Sequence, residues 1–159
     1  MKFAIGAIAV VTLAGCAVES ANIGSRAPDA KLEMLTEPGK MVSIQGQSNV
    51  RIIDFWATWC GPCRQSMPFI ENLHKKYKDK GVQVMGVTDE PRGVVEKFHQ
   101  ELGYDYPIFL DSYGDANRRY AVRAIPHVVV IGKNGIIRWM GSPFDTEGVT
   151  EAVESALAQ

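Results

Sequence analysis

The sequence predicts a layered α/β domain, and three observations carry that prediction. Apolar runs fit for buried strands, Val50 to Trp56, Val82 to Val87 and Tyr106 to Leu110, alternate with stretches of helical periodicity. Asn134-Gly135 stands between two more apolar runs, 128–131 and 136–140, and is the strongest short hairpin signal. A last stretch, 145–158, places Val149, Val153 and Leu157 on one helical face. The 159 residues suit one domain, and 46% hydrophobic with 22% charged content is ordinary for a globular fold. That composition excludes a disordered, collagen-like or polytopic membrane chain. A net charge of −1 leaves no basic footprint for nucleic acid.

The elements follow in chain order. Phe3 to Leu13 is an apolar run of 11 residues behind Met1-Lys2, the length of a secretory signal core and too short to span a bilayer. It closes with Leu13-Ala14-Gly15-Cys16, which resembles the bacterial lipobox, where the Cys thiol is lipidated and the chain is cut before it. Residues 1–15 therefore read as a lipoprotein signal peptide, 16–24 as a lipidated anchor and tether, and 25–159 as the domain. Acyl chains on Cys16 would hold the domain to a bacterial membrane, facing the periplasm or the cell exterior. Ala17 rather than Asp follows Cys16, which in a diderm favours the outer membrane. In that compartment disulfides persist.

Residues 28–45 read as a weak hairpin around Glu37-Pro38-Gly39-Lys40. The strand Val50 to Trp56 is interrupted by Asp54, and a helix is expected from about Cys60 to Lys80 through Phe69, Ile70, Leu73 and Tyr77. A second helix, 91–103, opens at Pro91 and lines up Val94, Val95, Phe98 and Leu102. A short helix is expected over 113–121.

Three cysteines are too few for a disulfide scaffold, so their placement matters more than their number. Cys60-Gly61-Pro62-Cys63 lies where a buried strand turns into a helix. Unpaired N–H groups and the positive dipole end there favour a thiolate on the first cysteine. Thiolate is the attacking form, so Cys60 is the expected nucleophile and Cys63 the resolving thiol. The other readings of the pair are half a zinc site or a static disulfide. Zinc needs more ligands than two, and no second Cys pair or His cluster supplies them.

Ile53 to Arg64, with Met67-Pro68 and Ala124-Ile125-Pro126, resembles the thioredoxin superfamily. The helical stretch 91–103 and Tyr106-Pro107-Ile108-Phe109-Leu110-Asp111 resemble its TlpA/ResA-like branch, and the likeness covers about 25–159. The resemblance implies a thioredoxin fold with an N-terminal β-hairpin and an inserted helix–strand element. It also implies a tethered thiol–disulfide oxidoreductase with redox-active Cys60 and Cys63 and no organic cofactor or resident metal. Ile125-Pro126 matches the family's cis-proline turn. With Trp59, Gly61 and Pro62 it is expected to meet substrate. Pro68 matches a helix-kinking proline.

Asp54 matches the family carboxylate that exchanges a proton with the second cysteine, and burial would raise its pKa. The family's partner lysine on the next strand is absent from Val82-Gln83-Val84-Met85-Gly86-Val87, and Ser66 stands where many of the branch carry Glu. Gly61-Pro62 is the dipeptide of reducing thioredoxins, which favours a reductase of protein disulfides recharged by a membrane thiol carrier. A monomer suffices. Two alternatives stand beside it. One is a thiol peroxidase, although Trp56-Ala57-Thr58-Trp59 precedes Cys60 where a peroxide pocket would carry Pro and Thr. The other is a copper-handling module using Cys60, Cys63 and His127. The favoured reading of His127 is a strand-start residue facing away from the thiols, and Trp56 and Trp59 read as docking rim or core.

Overall fold

In the computed structural model, residues 21–45 and 48–159 are described. Cys16 and the expected signal peptide lie outside them. The strands are β1 (Lys31–Met34), β2 (Met41–Ser43), β3 (Val50–Phe55), β4 (Val82–Thr88), β5 (Ile108–Leu110), β6 (His127–Ile131) and β7 (Ile137–Gly141). The helices are α1 (Gly61–Tyr77), α2 (Arg92–Leu102), α3 (Asp115–Arg119) and α4 (Thr146–Leu157). One sheet takes the order β2-β1-β5-β4-β3-β6-β7. β3, β4 and β5 run parallel, while β6 and β7 add antiparallel on one side and the β1–β2 hairpin on the other. This is the thioredoxin-like α/β fold, with its N-terminal hairpin and with α2–β5 as the inserted element.

All six residues of β3 are buried, and their alternation divides the core into two. Val50 and Ile52 face a cluster with Met67, Ile70 and Leu73 of α1, Val95 of α2 and Val149 and Val153 of α4. Ile53 and Phe55 face the opposite cluster, with Ala116 of α3, Tyr120 and the N-terminal residues Ala21, Ala27 and Ala30. Asp54 takes the phase of Ile52, so it points to the α1 side. Arg51 is a second buried polar residue of this strand, beyond the one interruption that the sequence reading marks. Its Nη1 donates to the carbonyls of Ser43 and Ile44, both at 2.6 Å, and so ties β3 to the end of β2.

The helix expected from Cys60 starts at Gly61, with Cys60 as its N-cap, and ends at Tyr77 before a 3-10 turn over Lys78–Lys80. The Asn134-Gly135 turn forms between β6 and β7. Gly135 takes a positive φ of 76° and donates from its N–H to the carbonyl of Gly132 at 2.8 Å. A register shift beside Val130 and Ile131 accommodates the longer loop.

Candidate active site

β3 delivers the chain to the site, and residues 57–60 turn it into α1. Cys60 and Cys63 are joined by a disulfide with Cα atoms 5.2 Å apart. The N–H of Cys63 donates to Sγ of Cys60 at 3.1 Å, so the first cysteine's sulfur caps the helix. One sulfur thus sits at the outer end of the helix, where free backbone N–H groups and the positive dipole end favour negative charge. The other belongs to the first turn, and both cysteines join the core cluster that holds Met67 and Val128. Both cysteines are covered, Cys60 at 4% and Cys63 at 1% exposure. Gly61 and Pro62 are exposed beside them.

The two tryptophans part ways. Trp59 is 74% exposed, whereas Trp56 is buried and stacks on Phe98 of α2 at 5.4 Å. Trp59 lines two grooves. One runs along α2 past Gly93, Val94, Lys97 and Phe98. The other passes Asp89, Asn117, Val122, Arg123 and Ile125. The Ile125-Pro126 peptide bond is cis, and Ile125 is half-buried where the two core clusters meet.

Asp54 is 1% exposed and its Oδ1 has no hydrogen-bond partner. Desolvation pushes its carboxyl up to about 7. In parallel register with it on β4 stands Gly86, where a lysine would have been the partner. Ser66, at the position where Glu is frequent in the branch, is buried and donates its hydroxyl to the carbonyl of Cys63 at 3.0 Å. Pro68 lies within α1, which continues through it.

His127 is not brought to the thiols. It pairs with Phe55 across β3 and β6, and the two rings lie 6.3 Å apart on the α3 side of the sheet. Val128, one residue on, takes the phase of Asp54 and joins the cysteine cluster. The copper set of Cys60, Cys63 and His127 is therefore split across the sheet. Among the described residues no three His, Cys, Asp or Glu side chains gather as a metal site.

One contributor escapes the sequence reading. Glu90, in the loop after β4, accepts from the N–H of Thr58 at 2.6 Å and from its hydroxyl at 2.7 Å. Thr88 donates its hydroxyl to the same carboxylate at 3.3 Å. This clamp fixes the segment two residues before Cys60. It joins residues 32 apart in the chain, which no local pattern announces.

A cysteine pair at the start of the first helix of this fold, with a cis-proline turn whose Ile125 shares a groove with Trp59, defines the class of thioredoxin-like thiol–disulfide oxidoreductases. The chain belongs to the Redoxin family, whose pattern matches residues 22–157. It is 35% identical over 117 residues to the thiol-disulfide oxidoreductase ResA of Geobacillus kaustophilus, covering 73% of this chain and 67% of that protein. To ResA of Oceanobacillus iheyensis it is 32% identical over 120 residues, 73% of this chain and 62% of the relative. The chain thus spans less than two thirds of that relative's length. A crystal structure from Chlorobium tepidum, described as a candidate thiol:disulfide interchange protein DsbE, superposes with a TM-score of 0.79 at 33% identity. The superposition covers 87% of this chain and 99% of that one. A candidate protein disulfide isomerase from Bacteroides thetaiotaomicron gives 0.76 at 30% identity, covering 87% and 92%.

Proposed function

We propose that the chain is an extracytoplasmic, lipid-anchored thiol–disulfide oxidoreductase that reduces protein disulfides. The observation that carries this reading is the Cys60–Cys63 pair at the capped start of α1, beside exposed Trp59 and the grooves it lines. In the reduced state the Cys60 thiolate attacks one sulfur of a substrate disulfide. A mixed disulfide forms and one substrate thiolate leaves. Cys63 gives its proton to Asp54 and attacks the Cys60 sulfur, which forms the Cys60–Cys63 disulfide and frees the second thiolate. Two electrons pass from the dithiol to the substrate, and a membrane thiol carrier restores the dithiol.

Substrate chains lie in the groove that Trp59 shares with Val122, Arg123, Ala124 and Ile125, close in sequence to Gly61, Pro62 and Pro126. An open groove of this kind suits transient docking, because turnover needs release as much as binding. Gly61-Pro62 favours the reducing direction, since thioredoxins with that dipeptide hold potentials of about −270 mV against about −120 mV for DsbA. Residues 1–15 are removed as a signal peptide, Cys16 carries the acyl chains, and the working domain begins before the expected residue 25, since Ala21 is buried in its core and the N–H of Gly24 donates to the carbonyl of Ile137.

Prereduced full-length chain mixed with insulin should reduce one disulfide per chain and itself end as the Cys60–Cys63 disulfide. No transfer above the background of free thiol would overturn the reductase reading. Cys16→Ser should leave this transfer unchanged while moving the protein from the membrane to the soluble fraction of cells. Continued pelleting with salt-washed membranes would overturn the anchor.

A further inference from the structure

Three buried polar atoms near the base of the site have no hydrogen-bond partner: Oδ1 of Asp54, Nε1 of Trp56 and the hydroxyl of Tyr106. All three residues lie on the α1 side of the sheet. Asp54 and Trp56 share a phase at the end of β3, and Tyr106, 1% exposed, packs in the same cluster as Trp56. Gly86, in register with Asp54, brings them together. A Cβ on Gly86 would lie 2.9 Å from the Tyr106 ring edge and 3.1 Å from the Trp56 indole nitrogen. The phenol ring and the indole N–H therefore sit directly over the bare backbone beside Asp54.

Tyr106 is also held firmly in that place. The N–H groups of Asp105 and Tyr106 donate to Oε2 of buried Glu71 on α1, at 3.1 and 3.3 Å. Lys75 holds the other oxygen of Glu71 at 2.9 Å. Burial, and then the charges of Asp54, Tyr104 and Glu71, raise the Tyr106 phenol well above its ordinary range, so it stays a protonated donor. A phenylalanine would fill the same apolar space. A buried hydroxyl without a partner is costly, so the oxygen calls for an acceptor, and Oδ1 of Asp54 is a buried acceptor on the same side of the sheet with neither a hydrogen bond nor an ion pair.

We propose that Tyr106 is the positioning residue for Asp54: in the reduced protein its hydroxyl donates to the ionised carboxylate, with the Trp56 indole as second donor. The pair supplies, from the neighbouring strand ends, the stabilisation of negative charge that Gly86 on β4 has no side chain to give. This inference rests on the reading of Asp54 as the proton acceptor for Cys63. Its chemistry is a shared hydrogen bond with no electron transfer. The ionised carboxylate gains two donors and the neutral acid gains less, so a larger fraction of the carboxyl is ionised, and able to take the thiol proton, at a given pH.

The test is a carboxyl-carbon NMR titration of Asp54 in the reduced full chain, with and without Tyr106→Phe. The expected result is an Asp54 midpoint higher by about one pH unit in the variant. The pH profile of mixed-disulfide resolution should move upward by the same amount. In an Asp54→Asn background Tyr106→Phe should leave the pH profile of resolution unmoved. A folded Tyr106→Phe protein whose Asp54 titrates with the wild-type midpoint overturns the proposal. Should Tyr106→Phe not fold, Trp56→Phe, which deletes the other donor, is read in the same titration against the same two outcomes. If Asp54→Asn slows resolution while the midpoint ignores Tyr106, this proposal fails and the proton-acceptor reading stands. If the midpoint shifts with Tyr106 while Asp54→Asn resolves at the wild-type rate, the hydrogen bond stands and the proton-acceptor reading fails.

Discussion

Cys63→Ser should convert the protein into a trap, with mixed disulfides through Cys60 accumulating on protein substrates while turnover falls to the uncatalysed rate. Attack by Cys60 needs only the capped helix start. Release needs the second sulfur, which lies within the first turn of the helix that Cys60 caps. Cys60→Ser should abolish both adducts and turnover, because Cys60 caps the start of α1 whereas Cys63 lies within its first turn. Non-reducing electrophoresis of the two variants, prereduced and offered a protein disulfide, reads the difference. Dithiothreitol-sensitive adducts of equal abundance in both would reverse the order of attack. Their absence in both would remove the dithiol mechanism.

Asp54→Asn should stabilise the protein at pH 8 and leave it unchanged near pH 3. Burial holds the Asp54 carboxyl neutral up to about 7, whereas in the unfolded chain it ionises near 3.8. Between those values the folded protein binds more protons than the unfolded chain. The stability contributed by the neutral carboxyl is therefore full below the unfolded value and is lost as pH rises through the folded one. Asparagine keeps a neutral group at every pH, so the gain at pH 8 should be about 1–3 kcal/mol. Thermal melts at the two pH values check this, and equal shifts at both would contradict the buried acid. The same variant should slow resolution of the mixed disulfide by about 10²-fold or more, since Cys63 loses its proton acceptor. Stability and rate thus move in opposite directions, as expected of a carboxylate kept in a costly place for its chemistry.

Much of this site was legible in the residues before any fold was drawn. Cys60-Gly61-Pro62-Cys63 after a largely apolar strand announces a helix start with two thiols, and Asp54 announces itself by its charge among apolar neighbours. The hairpins were legible too, because Glu37-Pro38-Gly39-Lys40 and Asn134-Gly135 are turn chemistry. What escaped depends on sheet register. That Gly86 stands beside Asp54, and that Tyr106 and Trp56 close over it, follows from how β3, β4 and β5 align, and local periodicity carries no such information. The Glu90 clamp on Thr58 is hidden for the same reason. Arg51 was passed over because a long aliphatic stem lets a charged residue sit inside an apolar strand when carbonyls meet its head. The face of His127 turned on one step of strand phase, which the pairing with Phe55 decides.

The central claim is that the Cys60–Cys63 pair works as a reductant, and its equilibrium potential tests that most directly. The full chain is equilibrated against thiol–disulfide buffers of graded poise, and the fraction holding the Cys60–Cys63 disulfide is counted at each. The account predicts a midpoint near that of reducing thioredoxins, about −270 mV; a midpoint near that of DsbA, about −120 mV, would make the protein an oxidant and contradict it.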